Sequence, residues 1–232
     1  IHIQKYDSQN SKTRSVLKMK KEKLIPKLIF FLLGMAIIQL GVVIFLLSGA
    51  GSDPFTVFTQ GLSKALSVST GTANMIILVT LVIAIFIADR KQLKVGTFVL
   101  VLVVGPTIDA IMGILHRFGL DTSLSNFNLF TKCVIVAVSC IIIAIGFSFL
   151  VSTELGVAPN DLVPLIIRDK TNFQYRWIRI GLDLSFLVVG YLLAGVVGLG
   201  TIIAVLFTGP AIQFFMPPCE KIVHKFIGKN AA

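Results

Sequence analysis

The chain has 232 residues, of which 55% are hydrophobic and only 14% are charged, and its mean hydropathy is +0.91. Soluble domains carry about 25% charged residues, so this composition excludes an ordinary soluble protein and indicates a membrane protein. The net charge of +10 does not indicate nucleic-acid binding, because the basic residues cluster at the ends of apolar segments.

Along the chain, six apolar segments are long enough to cross a bilayer, which takes about 20 helical residues. A polar, basic stretch precedes the first segment, and no small-residue cleavage site follows it, so we expect a retained helix. Two shorter apolar segments, 54–66 and 159–169, are too short to cross. The predicted crossings are 26–49, 70–88, 95–115, 131–152, 176–194 and 197–216.

The distribution of lysine and arginine predicts the orientation of these crossings. If the N-terminus is cytoplasmic, 18 of the 21 basic residues fall on the cytoplasmic side. Only Lys64, Arg117 and Lys132 fall outside. This asymmetry predicts six crossings with both termini in the cytoplasm, as expected for a multi-pass protein of a bacterial inner membrane.

An internal repeat is visible in the turns and in the closing helix of each half. Gly51 and Pro54 of "GSDPF" recur as Gly156 and Pro159 of "GVAPN", at an offset of 105. The stretch "VGTFVLVLVVGPTIDAIM" (95–112) recurs as "LGTIIAVLFTGPAIQFFM" (199–216), at an offset of 104. Each copy holds three crossings, an odd number, so the second copy starts on the opposite side of the membrane.

The predicted fold is an all-α membrane protein with six transmembrane helices in two inverted three-helix repeats. Each repeat has a short re-entrant or interfacial helix after its first helix. The predicted organisation is a basic cytoplasmic segment (1–25), repeat 1 (26–115), an extracytoplasmic loop (116–130), repeat 2 (131–216) and a cytoplasmic tail (217–232).

The two turns also carry candidate binding residues. Asp53 is a favourable N-cap for a helix that begins at Pro54. If the short helices enter the membrane, their N-terminal N–H groups can hold an anionic or carbonyl group beside a polar cavity. The alternative is that both helices lie flat at the interface and Asp53 only caps. Because the turn occurs twice, we favour the cavity, with Thr56, Gln60, Asn160 and Asp161 beside Asp53 as candidate ligands.

Gly-x-x-Pro-x-Asp after the first helix of each repeat, "QGLS" at 60–63 and the closing Gly-Thr…Gly-Pro resemble the YczE-like family of bacterial integral membrane proteins. The resemblance covers residues 28–216. It implies a small inner-membrane protein with a role in transport, and the regulators beside some members suggest a small metabolite or vitamin as solute. Repeat 1 departs from this pattern, because Thr56 stands where the motif has its acid, whereas Asp161 keeps the acid in repeat 2.

Two acids within the predicted crossings are further candidates, since ionisable groups in a membrane are costly. Asp109 has Gln213 as its repeat counterpart, and either reaches water at the outer helix end or serves the site. Asp183 follows Arg179 by four residues, a spacing that favours an ion pair on one helical face. The alternative is a substrate or proton site at Asp183.

No motif of a catalytic or metal site is present, and the three histidines lack metal-ligand spacing. We therefore expect no enzyme, metal or cofactor. The leading hypothesis is a transporter, or the substrate-binding membrane subunit of one, for a small polar metabolite or vitamin. Its site would be a cavity between the repeats, bounded by the two turns and reached by Asp183 or Asp109. The alternative is a non-transporting scaffold that supports another membrane complex. The expected partners are the lipid bilayer, the solute, and a second copy or a partner membrane subunit.

Overall fold

The structure is a computed structural model that describes residues 2–68, 70–117 and 127–227, without the side chains of 2–23, 70–71 and several positions within 105–116. Within this part all regular structure is helical, and a short 3-10 turn, Arg90–Gln92, precedes the fourth helix. The helices are α1 (His2–Leu47), α2 (Pro54–Leu66), α3 (Thr70–Asp89), α4 (Val95–Arg117), α5 (Leu129–Ser152), α6 (Pro159–Thr171), α7 (Tyr175–Leu192) and α8 (Leu199–Ile227).

Four of these helices are long and apolar enough to cross a membrane. They correspond to the first, second, fourth and sixth predicted crossings. The spans are Leu24–Leu47, Thr72–Gln92, Leu129–Ser152 and Leu199–Ile227. The chain is therefore a helical membrane protein. The last helix continues past the predicted end at 216 through Pro217 and Pro218, so part of the predicted tail is helical.

The surface and interior have the polarity expected of a protein surrounded by lipid. Large apolar side chains such as Ile87, Phe130 and Leu192 are more than three-quarters exposed. Small polar residues lie inside, and Ser148 donates its hydroxyl to the Ala144 carbonyl within α5 at 2.6 Å. Lipid tails are as apolar as the side chains, so the hydrophobic effect does not hold helices together in a membrane. Close packing of small residues and hydrogen bonds does so instead.

Helices α1 and α5 cross at small residues and run antiparallel. A Cβ atom added at Gly34 would lie 2.8 Å from the Gly146 carbonyl oxygen, and one added at Gly146 would lie 2.8 Å from the Gly34 carbonyl oxygen. Further along α1, a Cβ atom at Gly41 would lie 3.1 Å from the Ser139 carbonyl oxygen. Rising numbers on α1 thus meet falling numbers on α5, and the absent side chains allow the two backbones to touch.

The short helices of the two halves match each other. Helices α2 and α6 have 13 residues each and begin with proline. Each ends at a residue in the left-handed conformation, Ser67 with φ 52° and Asn172 with φ 57°. Asp53 caps α2 as predicted, since it accepts a hydrogen bond from the backbone N–H of Thr56 at 3.1 Å.

The closing helix of each half begins against the turn of the other half. The backbone N–H of Gly200, at the start of α8, donates to the Ala50 carbonyl at 2.9 Å. The N–H of Gly96, at the start of α4, donates to the Leu155 carbonyl at 3.0 Å. Thr201 adds a hydroxyl bond to the Ser52 carbonyl at 2.7 Å. The two halves are therefore joined by hydrogen bonds from the first backbone N–H groups of α8 and α4 to carbonyl groups of the turns, and we call this contact the interlock.

Candidate functional site

The site is built from the two turns at which α2 and α6 begin. The turns bend at Gly51 with φ 131° and Gly156 with φ 134°, a region that residues with a side chain rarely adopt. Each is followed by a proline at the first helical position, where a missing N–H is tolerated. The sharp bend places the start of each short helix against the neighbouring half of the protein.

The two turns carry their carboxylates at different positions. In the first turn, Asp53 accepts hydrogen bonds from both the N–H and the hydroxyl of Thr56. In the second turn, Ala158 stands at the position of Asp53 and gives no side-chain cap. Asp161 stands at the position of Thr56, in the first turn of α6. Each turn thus presents one acid at a helix N-terminus, where the helix dipole favours negative charge.

Arg179 on α7 joins the second turn to the body of the protein. Its Nη1 donates to Asp161 Oδ1 at 2.6 Å, and its Nε donates to Asp183 Oδ2 at 2.9 Å. The predicted i,i+4 pair between Arg179 and Asp183 is thus present, and Asp161 extends it to a second helix. Such charge-assisted bonds are roughly twice as strong as neutral ones.

Burial of this network is uneven. The Asp183 side chain is 4% exposed, whereas those of Arg179 and Asp161 are 16% and 23% exposed. The network therefore runs from the buried Asp183 to the partly exposed Asp161.

Tyr175 also belongs to this place. It lies in the first turn of α7, is 3% exposed, and its hydroxyl lies beside the Arg179 guanidinium. Its ring stacks on Phe147 at 6.2 Å. We call these residues the Arg179 cluster: Asp161, Tyr175, Arg179 and Asp183.

The structure thus brings together two of the predicted site residues, Asp161 and Asp183, through Arg179, whereas Asp53 bonds to Thr56, another predicted site residue, in its own turn. The cluster has no copy in the first half, because Asn74 stands at the position of Arg179 and Leu78 at that of Asp183. The repeat therefore frames one charged site, which belongs mainly to the second half.

Gln60 and Asn160 have other surroundings. Gln60 Oε1 accepts a hydrogen bond from the Val196 N–H at 3.2 Å, and nearby Lys64 Nζ donates to the Ala194 carbonyl at 2.7 Å. Gln60 therefore holds the loop between α7 and α8. Asn160 is half-buried in the first turn of α6.

Asp109 lies within α4, and its side chain is outside the described residues. Its counterpart Gln213 accepts a hydrogen bond from the Arg176 N–H at 3.1 Å, so it caps the start of α7.

The structure has two cavities near the Arg179 cluster, and neither is lined by a residue of the cluster. One of about 290 Å³ is lined by the second turn and the ends of α5, α6 and α8, with charged residues Lys94, Glu154, Arg168, Asp169, Glu220 and His224. The other, of about 340 Å³, is lined by Arg176, Pro210, Gln213 and Phe214. Neither is bounded by both turns, as the predicted cavity would be. Where that cavity was expected, the side chains of Arg179, Asp161 and Asp183 bond to one another.

Among the side chains that the structure describes, no group of three or more His, Cys, Asp or Glu is arranged to hold a metal ion. Cys133, Cys140 and Cys219 are free thiols.

Comparison with known proteins gives a family match and several relatives. The model of the family described as "Family of unknown function (DUF6198)" matches residues 25–217. The chain is 28% identical over 204 residues to the "Uncharacterized protein YyaS" of Bacillus subtilis (strain 168), covering 88% of this chain and 98% of that protein. It is 24% identical over 213 residues to the "Uncharacterized membrane protein YczE" of the same organism, covering 91% and 95%. An uncharacterized protein of Haemophilus influenzae is 25% identical over 193 residues, covering 83% and 84%. No solved structure matches the chain.

Proposed function

Since the chain belongs to the DUF6198 family of unknown function, we propose a function from its own structure: it binds a small polar solute within the membrane and transports it. It would act alone or as the substrate-binding subunit of a larger transporter. The observation that carries the proposal is the Arg179 cluster, in which Arg179 on α7 bonds to Asp183 and to Asp161 at the start of the short helix α6.

The direction of the helices supports more crossings than the four most apolar helices. Successive crossings of a membrane alternate in direction. Because α1 and α5 are antiparallel, the number of crossings between them is even if both cross. Helix α3 supplies one. Helix α4, with 23 residues and a length of about 34 Å, supplies the second.

A similar argument applies to α7. Val136 and Cys140, early in α5, cluster with Ala204, early in α8. Phe147 and Leu150, late in α5, cluster with Ile212 further along α8, so the two helices run parallel. An odd number of crossings then separates them, and α7, with 18 residues and a length of about 27 Å, is the candidate. Its charged residues Arg176, Arg179 and Asp183 lower its apolarity.

Six crossings in which α1 and its counterpart α5 run in opposite directions are two inverted repeats about an axis in the membrane plane. The distribution of the basic residues then favours a bacterial inner membrane with both termini on its cytoplasmic side. In transporters of this construction, the solute site lies near the midplane at interrupted helices whose N-termini face it. Asp161, at the start of α6, is one of the two acids that share Arg179, which supports a solute site at the Arg179 cluster.

Energetics favour a binding role for the cluster over a structural one. A charged residue at the centre of a bilayer costs about 2.5–3.5 kcal/mol even on the lenient insertion scale. Mutual pairing returns part of this cost, but well-packed apolar residues in place of a buried ion pair are often as stable or more stable. A protein with only a scaffolding role would gain nothing from two acids and a shared, largely buried arginine that apolar residues could not supply.

A solute screen tests the proposal. The purified full chain in detergent is heated with amino acids, vitamins, organic anions and organic cations, because a ligand of the native state raises the unfolding midpoint. Uptake of any stabilising solute is then measured in proteoliposomes. We expect Asp161→Asn and Asp183→Asn to lose the stabilisation and the uptake. The control is Glu220→Gln, which removes a carboxylate that lies near His224 on α8 and outside the Arg179 cluster, and it should keep both. Unchanged affinity in both cluster variants would show that the site is elsewhere.

A further inference from the structure

A second polar place lies where the start of α7 packs on α8. The cavity of about 340 Å³ found there is lined by Arg176, Pro210, Gln213 and Phe214, and sites for small ligands have volumes of about 300–1,000 Å³. Two contacts hold its base. The Arg176 N–H donates to Gln213 Oε1 at 3.1 Å, and a Cβ atom added at Gly209 would lie 3.0 Å from the Arg176 carbonyl oxygen. The cavity therefore lies on a junction of two helices that touch through their backbones.

The free side-chain groups in this cavity are hydrogen-bond donors. The Nε atom of Arg176 is buried without a hydrogen-bond partner among the described residues, and no described carboxylate forms an ion pair with this guanidinium. The guanidinium lies over the Trp177 ring, 5.1 Å from its centroid. The Gln213 amide directs its oxygen to the Arg176 N–H, so its NH₂ group is the free end of that side chain. A ligand of the cavity must therefore supply acceptors.

The charge of the cavity is positive. Its lining contains no acid, and neither does the first turn of α7, whose N-terminus adds about half a positive charge. Arg176 lies one turn from Arg179 and offsets the second acid of the Arg179 cluster at long range, but that attraction leaves its own N–H donors unpaired. The planar fork of a guanidinium matches two oxygens of a phosphate group, and such charge-assisted bonds are strong.

The surroundings of the cavity are those of a surface that faces lipid headgroups. Phe214 is 73% exposed and Trp177 is 60% exposed, and tryptophan is enriched at the level of the headgroups in membrane proteins. In the proposed orientation the start of α7 faces the cytoplasmic leaflet, where anionic lipids attract basic residues and basic pockets between helices bind headgroups. Acyl chains of such a lipid would lie along the exposed apolar side chains of α8.

From this geometry we propose that the cavity binds the phosphate of an anionic phospholipid such as phosphatidylglycerol. Arg176 holds the phosphate oxygens, and the Gln213 amide donates beside it. A zwitterionic headgroup fits less well, because its cationic group would meet no acidic side chain in the lining. The inference is independent of the proposed solute site, since the cavity and the Arg179 cluster share no residue.

Thermal unfolding of the detergent-purified full chain tests the lipid site. The midpoint is measured in mixed micelles with equal mole fractions of phosphatidylglycerol or phosphatidylcholine, and separately in sodium phosphate and in sodium chloride of equal ionic strength. We expect phosphatidylglycerol to raise the midpoint on the order of 3 °C more than phosphatidylcholine does, because a ligand of the native state stabilises it. The difference should vanish in Arg176→Gln. It should persist in Lys221→Gln, which removes one exposed positive charge from α8 outside the cavity.

The outcomes separate the alternatives. A difference between the two lipids that is lost in Arg176→Gln alone supports the proposal. Equal effects of the two lipids, or a difference that Arg176→Gln retains or that Lys221→Gln loses as well, overturn it. Stabilisation by sodium phosphate that depends on Arg176, without a difference between the lipids, identifies a site for free phosphate and overturns the lipid. If Arg176→Gln does not fold, Arg176→Lys carries the test. It keeps the charge but not the fork, so a lipid difference as large as that of the wild type overturns the proposal and a smaller one supports it.

Discussion

Replacement of Gly156 by alanine tests the interlock between the two halves. Gly156 has φ 134°, and a Cβ atom there would lie 2.7 Å from the Thr97 nitrogen and 2.9 Å from the Thr97 hydroxyl oxygen. Because the nearest atom belongs to the backbone at the start of α4, the clash cannot be relieved by a side-chain rotation. The turn or α4 must move.

The magnitude follows from two terms. A residue with a side chain in a sparsely populated backbone region costs about 1–3 kcal/mol. Overpacking of a close contact costs about 1–3 kcal/mol more. For a chain of this length, 1 kcal/mol lowers the unfolding midpoint by roughly 2–4 °C, so Gly156→Ala should lower it on the order of 5–20 °C.

The assay is thermal unfolding of the purified protein in detergent, and the matched control is Gly181→Ala. A Cβ atom at Gly181, inside α7, meets nothing within 4 Å, and alanine favours a helix over glycine by about 1 kcal/mol. The control should therefore unfold at or above the wild-type midpoint. Equal midpoints for Gly156→Ala and the wild type, or an equal fall in both variants, would refute the close contact between the second turn and α4.

Further predictions concern the cluster, the interlock and the topology. Arg179→Met leaves two acids without their shared partner and should destabilise the protein by about 3–5 kcal/mol in thermal unfolding, whereas Arg179→Lys should cost less because one ion pair can persist. Thr201→Val removes the hydroxyl bond to the Ser52 carbonyl and should cost about 1–3 kcal/mol, a loss that an unchanged midpoint would contradict. In a background without the native cysteines, Lys91→Cys should resist an impermeant thiol reagent in intact cells, and Asn126→Cys should react; the reverse pattern would invert the topology.

Much of the fold is predictable from residues whose conformation is a local matter. The Asp-Pro start predicts α2, and the observed bounds, Pro54–Leu66, coincide with the predicted ones. The glycines of the two turns predict unusual backbone angles, and Gly51 and Gly156 have nearly equal ones. The resemblance to the YczE-like family, drawn from the Gly-Thr and Gly-Pro motifs, is confirmed by the family match and by the relative YczE.

The contacts that depend on packing were not predictable. The spacing on one helix predicts the pair of Arg179 and Asp183, but not that Asp161, on another helix, shares the same guanidinium. Whether α6 faces α7 at that residue is decided by tertiary packing and not by sequence period. The same holds for the space between the turns, since a pattern of polar residues does not tell whether they line a cavity or bond to one another.

The reciprocal bonds from Gly200 to Ala50 and from Gly96 to Leu155 also bear on how such a chain can arise and be assembled. Half of the protein, alone in lipid, would leave a turn carbonyl and a helix-start N–H unpaired, and each unpaired group in hydrocarbon costs several kcal/mol. Two identical halves inserted in opposite orientations could exchange these bonds with each other. During synthesis, the first half stays incomplete until the ribosome has delivered Gly200.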